Sequence, residues 1–502
     1  MNQELKHTPL MILGTSSGAG KTLIATAICR CLKRREEKPL PFKGQNMSNN
    51  AWVDKEGREM AYSQALQAWA AGLEPIAEMN PVLLKPKGDC TSEVIHLGKS
   101  VGNTKAINYY EDWFDSGWVA IKTGLEILLK SEQNGRFILE GAGSPVEVNL
   151  QHKDLTNLKL AKFLKANCIL VADIERGGVF AQIIGTIELM SYEERSLIKG
   201  IIINRFRGEK ALFESGITWI EKRTGIPVLG ILPWLDEIFP PEDSLDLLQR
   251  KQINKNAEII VAIIKLPRIS NFSDLHPFFS ESSVQIIWIE PGQSLGYPDA
   301  VIIPGSKQTV KDLESINRSG LSKQIKAYVK KGGSVFGICG GLQILGKSLE
   351  DPHNKESNNS LNLFSSEGMD FLPIKTTFGE KKKTSQLEET ILWPEEQKVK
   401  GFEMHYGQSN LIETKDKSIN PLFKRKSLGW ILEKENTNFI GGTYLHGIFE
   451  NHQWRKQWIN QIRKYKGLNK LSTTSKSENN REVLLDLLAD SFEENINIEK
   501  II

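Results

Sequence analysis

A cysteine ringed by glycines stands at the centre of GICGGLQILG, residues 337–346. The apolar GSVF before it predicts a short strand and LQILGKSL after it has helical spacing, so Cys339 falls at a strand-to-helix turn. Such a turn crowds side chains, favours glycine on both sides, and lifts the sulfur out of the sheet toward the first N–H groups of the helix. Positive potential at a helix start favours the thiolate, the nucleophilic form of cysteine. The other four cysteines represent the ordinary case, in which a free cysteine behaves as a small hydrophobe. Cys29 and Cys31 share one amphipathic segment, Cys168 opens the apolar run CILVAD, Cys90 falls in a loop, and none has glycine on both sides.

The second chemical stretch is GTSSGAGKT, residues 14–22, between strand-like PLMIL and helix-like LIATAICRCL. A glycine-rich turn in that context cradles phosphate oxygens with its backbone N–H groups. Thr15, Gly18 and Gly20 would line the turn, the Lys21 ammonium would neutralise terminal phosphates, and the Thr22 hydroxyl would ligate magnesium. ATP with Mg2+ is therefore expected here. One departure is visible: the first glycine of such loops, five places before Gly20, is Thr15, and glycine comes one residue earlier at Gly14. Glu140 ends the strand-like RFIL, where a carboxylate beside a phosphate loop suits a metal. Glu59, near the start of an Ala- and Gln-rich helix, is a second candidate ligand, though helix-start carboxylates also offset the helix dipole.

Further groups suit binding and base catalysis. Lys43 and Lys85 sit beside glycine and proline on loops, as anion contacts or as plain surface lysines. Asp173, Glu175 and Arg176 follow the apolar CILVA and would emerge at a strand end, where open α/β sheets bind ligands. Gly305 and Ser306, in AVIIPGSKQT, mark a strand-end turn whose N–H groups could form part of an oxyanion hole together with that of Gly340. Among eight histidines, His446 in NFIGGTYLHGIFEN is the candidate general base and His405 in GFEMHYGQS its competitor.

These residues need a scaffold. At 502 residues the chain exceeds one core. PLMIL, RFILE, NCILVADI, KGIIIN and PVLGILP read as buried parallel strands separated by amphipathic segments, a doubly wound α/β pattern. After the charged, proline-bearing FPPEDSLDLLQRKQINKNAE the alternation restarts with EIIVAIIKL, VQIIWIE, AVIIPGS and GSVFGIC. The expected domains are 1–250, 251–453 and a helical tail over 454–502 interrupted by a flexible STTSKSENN. HNKESNNS near 353 and GEKKKTSQ near 379 are expected as solvated loops. The balance of 64 basic and 61 acidic residues argues against nucleic acid or an anionic membrane as the main partner. Unpaired cysteine spacing, a short N-terminal apolar run and no membrane-length stretch point to a cytoplasmic enzyme or switch protein.

The shifted phosphate loop G-T-x-x-x-x-G-K-T resembles that of dethiobiotin synthetase and the cobyrinic and cobyric acid synthases, which use ATP to phosphorylate a carboxylate. In that group the glutamate of EGAG, here Glu140, holds magnesium. PFKGQNMSNNA, NPVLLKPKGD, EGAGSPVEVNL and ADIERGGVFA together resemble the cobyric acid synthase family, and its sister, the a,c-diamide synthases, carries a KKGPDYID-like stretch where this chain has KGQNMSNN. The order PGSK, GICGGLQ, YLHGIFE is similar to the class I glutamine amidotransferase domain in that family's variant. The resemblance implies a dethiobiotin-synthetase-like domain followed by a glutamine amidotransferase α/β domain, with Cys339 as nucleophile and His446 as its base. It places Lys43, Gln45, Asn46, Lys85, Asp173 and Arg176 at the carboxylate substrate. Typical members carry His-x-Glu, but position 448 is Ile, a gap the family variant shares. A dyad is therefore expected, with Glu450 or a backbone carbonyl as candidates to orient the ring; His405 with Glu403 matches a family motif.

The implied reaction joins both sites. A carboxylate resists ammonia until ATP converts it to an acyl phosphate, and ammonia made from glutamine inside the protein escapes protonation by bulk water. The resemblance names the acceptor as adenosylcobyrinic acid a,c-diamide, a corrinoid whose b, d, e and g carboxylates become amides. Two alternatives stand beside it. An amide synthetase for another acceptor includes the a,c-diamide step, against which KGQNMSNN argues. A partition-type switch ATPase would place a lysine near the start of the phosphate loop and would leave GICGG unexplained.

Overall fold

The computed structural model describes residues 5–88, 90–235, 254, 256–356, 364–413, 418–433, 439–473 and 480–500. The chain forms two compact units: Met1–Ser48 with Arg58–Asp246 and Glu478–Ile502, and Asn49–Gly57 with Leu247–Ser477.

The first unit is built on a six-stranded parallel sheet in the order Val228–Pro233, Ile198–Phe206, Asn167–Asp173, Leu10–Gly14, Arg136–Glu140, Pro39–Phe42. Its central strands are near-continuous apolar runs because helices cover both faces of a parallel sheet; every residue of Leu10–Gly14 is buried. Gly14, Glu140 and Asp173 thereby end neighbouring parallel strands on one edge of the sheet, the edge where ligands bind in this architecture. A smaller sheet, Gln45–Met47, Val82–Gly88, Thr91–His96 and Lys99–Lys105, stands apart. Its polar outer strand KSVGNTK carries no apolar alternation from which it could be read.

The second unit holds a seven-stranded sheet in the order Val284–Ile289, Ile259–Ile264, Ala300–Ile303, Ser334–Ile338, Phe439–Thr443, Gly429–Glu433, Ile419–Pro421. The first five are parallel and the last two antiparallel. Beside it lies a four-stranded sheet dominated by the long antiparallel pair Ile374–Ile391 and Gln397–Leu411. GEKKKTSQ, expected as a solvated loop, lies inside the first of these strands. The pairing breaks register between Phe378 and Lys383 and then resumes, so backbone partners hold a polar stretch that no buried face requires. HNKESNNS runs from described residues into 357–360, which lie outside them.

Residues 454–502, expected as one tail, divide between the units. The helix His452–Tyr465 drives the fully buried Trp454 and Trp458 into the core of the second unit, and Trp454 Nε1 donates to Trp393 O at 2.9 Å. The helix Asn480–Asn495 belongs to the first unit. It buries Leu485, Leu488, Ala489 and Phe492, and Asp486, Glu482 and Asp490 meet Arg30 and Arg34 of the helix Lys21–Arg34 at 2.7–2.8 Å. The boundary expected near 250 and residues 474–479 of the STTSKSENN link lie outside the described residues. No helix among the described residues is long and apolar enough to cross a membrane.

Candidate active sites

Cys339 lies between the strand Ser334–Ile338 and the helix Gly340–Leu345 with φ 51° and ψ −106°, a conformation costly for a residue with a side chain. Its N–H donates to Thr443 O of the next strand at 2.7 Å, which fixes the turn to the sheet. The flanking glycines have a steric reason. A Cβ at Gly341 would stand 1.9 Å from Ile303 O, and one at Gly337 would stand 2.5 Å from Gly341 C. The backbone of the turn thus folds directly onto its neighbours. A Cβ at Gly340 would meet Ser306 N at 2.8 Å, so the two proposed oxyanion segments lie side by side, and a Cβ at Gly305 would be 3.4 Å from His446 Cε1.

His446 is buried, and its Nδ1 lies 2.7 Å from Asp274 Oδ2. Asp274 Oδ1 accepts from Gly447 N, also at 2.7 Å. With Nδ1 held by a carboxylate, Nε2 is the nitrogen left for the Cys339 sulfur, which itself lies 3.7 Å from Met404 O as a donor. Phe402 stacks on the imidazole at 5.2 Å with an interplanar angle of 23°. Burial works against protonation of His446, but the charges of Asp274 and Cys339 and their hydrogen bonds outweigh it and push the ring up to about 10. His405, the competing base, has both nitrogens engaged: Nδ1 at 2.6 Å from Gly407 O and Nε2 at 3.3 Å from Glu403 Oε1.

The ring of His446 is thus oriented by Asp274, in place of the Glu450 or backbone carbonyl considered from the sequence. Asp274 sits 172 residues before His446, in the 3-10 segment Phe272–Ser280. No local spacing could reveal it; the available signal was the missing acid at Ile448, which required one from elsewhere. Asp274→Asn keeps the shape and removes the charge. The expected result is a fall in glutamine hydrolysis of about 10²-fold or more and an alkaline limb of kcat/KM displaced downward from about 10. Without the carboxylate's charge the imidazolium is less favoured, so the ring loses its proton at lower pH. A pH–rate profile of the variant checks it.

In the first unit Gly18 and Gly20 take positive φ, 72° and 100°, and a Cβ at Gly20 would fall 2.0 Å from Asn204 Nδ2. Asn204 in turn donates to Ala19 O at 2.9 Å, pinning the loop from the adjoining strand Ile198–Phe206. Lys21 Nζ donates to Ser16 O and Gly143 O, both at 3.0 Å. The displaced glycine has a local cause, since a Cβ at Gly14 would stand 3.0 Å from Lys21 Cγ and Nζ. Thr15 Oγ1 donates to Gln182 Oε1 at 3.1 Å.

Glu140 is fully buried and accepts from four side chains. Thr22 Oγ1 and Lys43 Nζ reach Oε1 at 2.8 and 2.7 Å, and Gln64 and Gln67 reach Oε2 at 3.2 and 2.5 Å. A buried carboxylate this well satisfied is held in one position. Asn46 joins the cluster by donating to Gln64 Oε1 at 2.9 Å and Ser63 Oγ at 3.1 Å, while Gln45 Oε1 accepts from Tyr109 OH at 2.6 Å. Glu59 lies against Lys85 at 2.7 Å, so any cation it ligated would share its oxygens with that ammonium. Asp173 pairs with Arg205 at 2.8 Å and Arg176 is exposed. The described residues contain no cluster of three or more His, Cys, Asp or Glu suited to a metal.

Residues 10–245 match the CobQ/CobB/MinD/ParA nucleotide binding domain, and residues 260–454 match the CobB/CobQ-like glutamine amidotransferase domain. The chain is 75% identical over 503 residues, spanning both proteins in full, to a cobyric acid synthase of Prochlorococcus marinus (strain NATL2A). It is 58% identical to that of Prochlorococcus marinus (strain MIT 9313), over 99% of each chain. It is 56% identical to that of Synechococcus sp. (strain CC9311), over 98% of each. Among solved structures, a glutamine amidotransferase aligns with 41% of this chain and 99% of its own at a TM-score of 0.30 and 12% identity.

Proposed function

The chain belongs to the cobyric acid synthase family, and we propose that its two units divide the glutamine- and ATP-dependent amidation of a corrinoid in cobalamin biosynthesis between them. The observation that carries this reading is the Cys339 turn with His446 held by Asp274, an acyl-transfer arrangement for which a switch ATPase has no use.

In the amidotransferase unit the Cys339 thiol gives its proton to His446 and Sγ attacks the carboxamide carbon of glutamine. The developing oxyanion is received by N–H groups of Gly305 and Gly340. His446 gives its proton to the departing nitrogen, ammonia leaves, and a thioester remains. His446 then takes a proton from water, whose oxygen attacks the thioester, releasing glutamate and the thiol. Asp274 keeps the ring in the tautomer and orientation this needs.

In the synthetase unit Thr15, Gly18, Gly20 and Lys21 hold the triphosphate of ATP. A carboxylate oxygen of the acceptor attacks the γ-phosphorus and ADP departs. Ammonia then attacks the acyl carbon and phosphate departs, leaving the amide. The Thr22 hydroxyl and the Glu140 carboxylate, 2.8 Å apart, are hard oxygen donors of the kind Mg2+ takes and would hold it, with Glu140 Oε1 shared with the Lys43 ammonium at 2.7 Å. When bound, Mg2+ neutralises phosphate charge. Lys43, Gln45, Asn46, Lys85, Asp173 and Arg176 are assigned to the acceptor side. The acceptor is adenosylcobyrinic acid a,c-diamide, amidated at b, d, e and g to give adenosylcobyric acid in the cytoplasm, with no nucleic-acid or membrane partner.

The test is incubation of the protein with magnesium ATP, glutamine and the corrinoid a,c-diamide, followed by mass spectrometry. Stepwise replacement of carboxylates by carboxamides until four have reacted is expected. Glutamine hydrolysis and ATP cleavage with the corrinoid unchanged would assign the acceptor elsewhere.

A further inference from the structure

Residues 49–57, NNAWVDKEG, stand within the sequence of the synthetase unit but fold as part of the amidotransferase unit. There they grip two members of the glutaminase site from two directions.

The first grip is polar and acts on the turn that carries Asp274. Asn271, in the left-handed region with φ 49°, donates its N–H to Asn49 O at 3.1 Å and accepts from Ala51 N at its Oδ1, also at 3.1 Å. Ser273 donates twice to Asn50 Oδ1, from its N–H at 3.3 Å and its hydroxyl at 2.8 Å. Asn50, Asn271 and Ser273 are all buried. Buried polar groups with fixed partners hold one arrangement, because each lost partner leaves a desolvated atom. Both residues held this way, 271 and 273, lie within three positions of Asp274.

The second grip is aromatic and acts on His446. The Trp52 ring meets Phe402 edge-on at 4.9 Å, and Phe402 is the ring stacked on His446. Phe402 and His446 also exchange backbone hydrogen bonds, at 3.1 and 2.9 Å. The segment is tied down farther along, where Gln386 Nε2 donates to Val53 O at 2.9 Å and Thr384 Oγ1 donates to Gly57 O at 2.7 Å.

We propose that Asn50 and Trp52 are positioning residues of the glutaminase, Asn50 through Ser273 setting Asp274 and Trp52 through Phe402 setting His446. Neither touches glutamine. The stretch that carries Lys43 and Asn46 thus continues without a break into the residues that set the geometry of the other reaction. This inference rests on the reading of Cys339, His446 and Asp274 as the glutaminase site.

The test uses the full-length chain with Asn50→Ala, Trp52→Ala and Trp52→Phe, and Cys339→Ala alongside. Displacing a catalytic pair by a fraction of an ångström to about 1 Å costs roughly tenfold to 100-fold in rate. Asn50→Ala and Trp52→Ala are expected to lower the kcat of glutamine hydrolysis by that factor with little change in KM. Their alkaline limbs move to lower pH, because the ring and its carboxylate are no longer held together. Ammonia-dependent amidation stays within about twofold of wild type, since the first unit is intact. Trp52→Phe, which keeps an aromatic edge on Phe402, restores most of the rate. Unchanged glutaminase kcat and pH profile in both alanine variants overturns the proposal. So does an equal loss of glutamine- and ammonia-dependent amidation, or a Trp52→Phe variant as impaired as Trp52→Ala. Retention of glutaminase activity by Cys339→Ala instead overturns the underlying site reading.

Discussion

Cys339→Ala is expected to lose glutamine hydrolysis by on the order of 10⁴-fold or more, the scale seen when a nucleophile acting as one unit with its base is removed. Amidation driven by added ammonium should persist. Both halves follow from structure. The sulfur is the atom whose charge acts on the buried His446 ring and the one presented by a backbone strained at φ 51°. Alanine at 339 is smaller and makes no new contact, so the turn, held by Cys339 N to Thr443 O and by close-packed glycines, has no reason to move. The residues proposed to activate the carboxylate all belong to the other unit. Steady-state glutaminase assays, paired with ammonium-dependent amidation of the same preparation, read both outcomes.

Lys21→Ala is expected to give the reciprocal result. Amidation falls by roughly 10²- to 10³-fold with either nitrogen source, the range for removing a fixed charge that stabilises the transition state. Glutamine hydrolysis measured without ATP is unchanged. Lys21 is buried, and its ammonium is held across the loop by the carbonyls of Ser16 and Gly143. Glu140 and Lys43 serve less well as probes, because breaking their buried pair strands a charge, which costs about 3–5 kcal/mol and confuses loss of chemistry with loss of fold. ATP-dependent product formation from glutamine and from ammonium, set beside ATP-free glutaminase, checks the prediction.

Much of this was legible in the residues. The strands PLMIL, RFILE, NCILVADI and GSVFGIC are buried parallel strands whose apolar runs and following glycines announce both the sheet and the loops at its edge. Glu140 beside Thr22 was legible for the same reason, as adjacent strand ends in a parallel sheet share an edge. What escaped detection depended on contacts between residues far apart in sequence. Asp274 replaces the acid missing at Ile448 from a different element altogether. GEKKKTSQ looks like a loop because its polarity carries no strand pattern, yet ladder hydrogen bonds from Gln397–Leu411 hold its continuation as a strand. The Lys99–Lys105 strand was hidden likewise. Residues 49–57 gave no sign of folding with the second unit, because a nine-residue segment is placed by its partners at Asn271, Ser273 and Phe402 and not by its own periodicity.

The central claim is that nitrogen reaches the corrinoid from glutamine through Cys339. The most direct measurement supplies amide-15N glutamine together with unlabelled ammonium, magnesium ATP and the corrinoid a,c-diamide, and reads the isotope in the product amides. The wild type should incorporate 15N, and Cys339→Ala should form the same amides carrying ammonium nitrogen alone. Labelled amides from Cys339→Ala, or unlabelled amides from the wild type while it is consuming glutamine, would contradict the account.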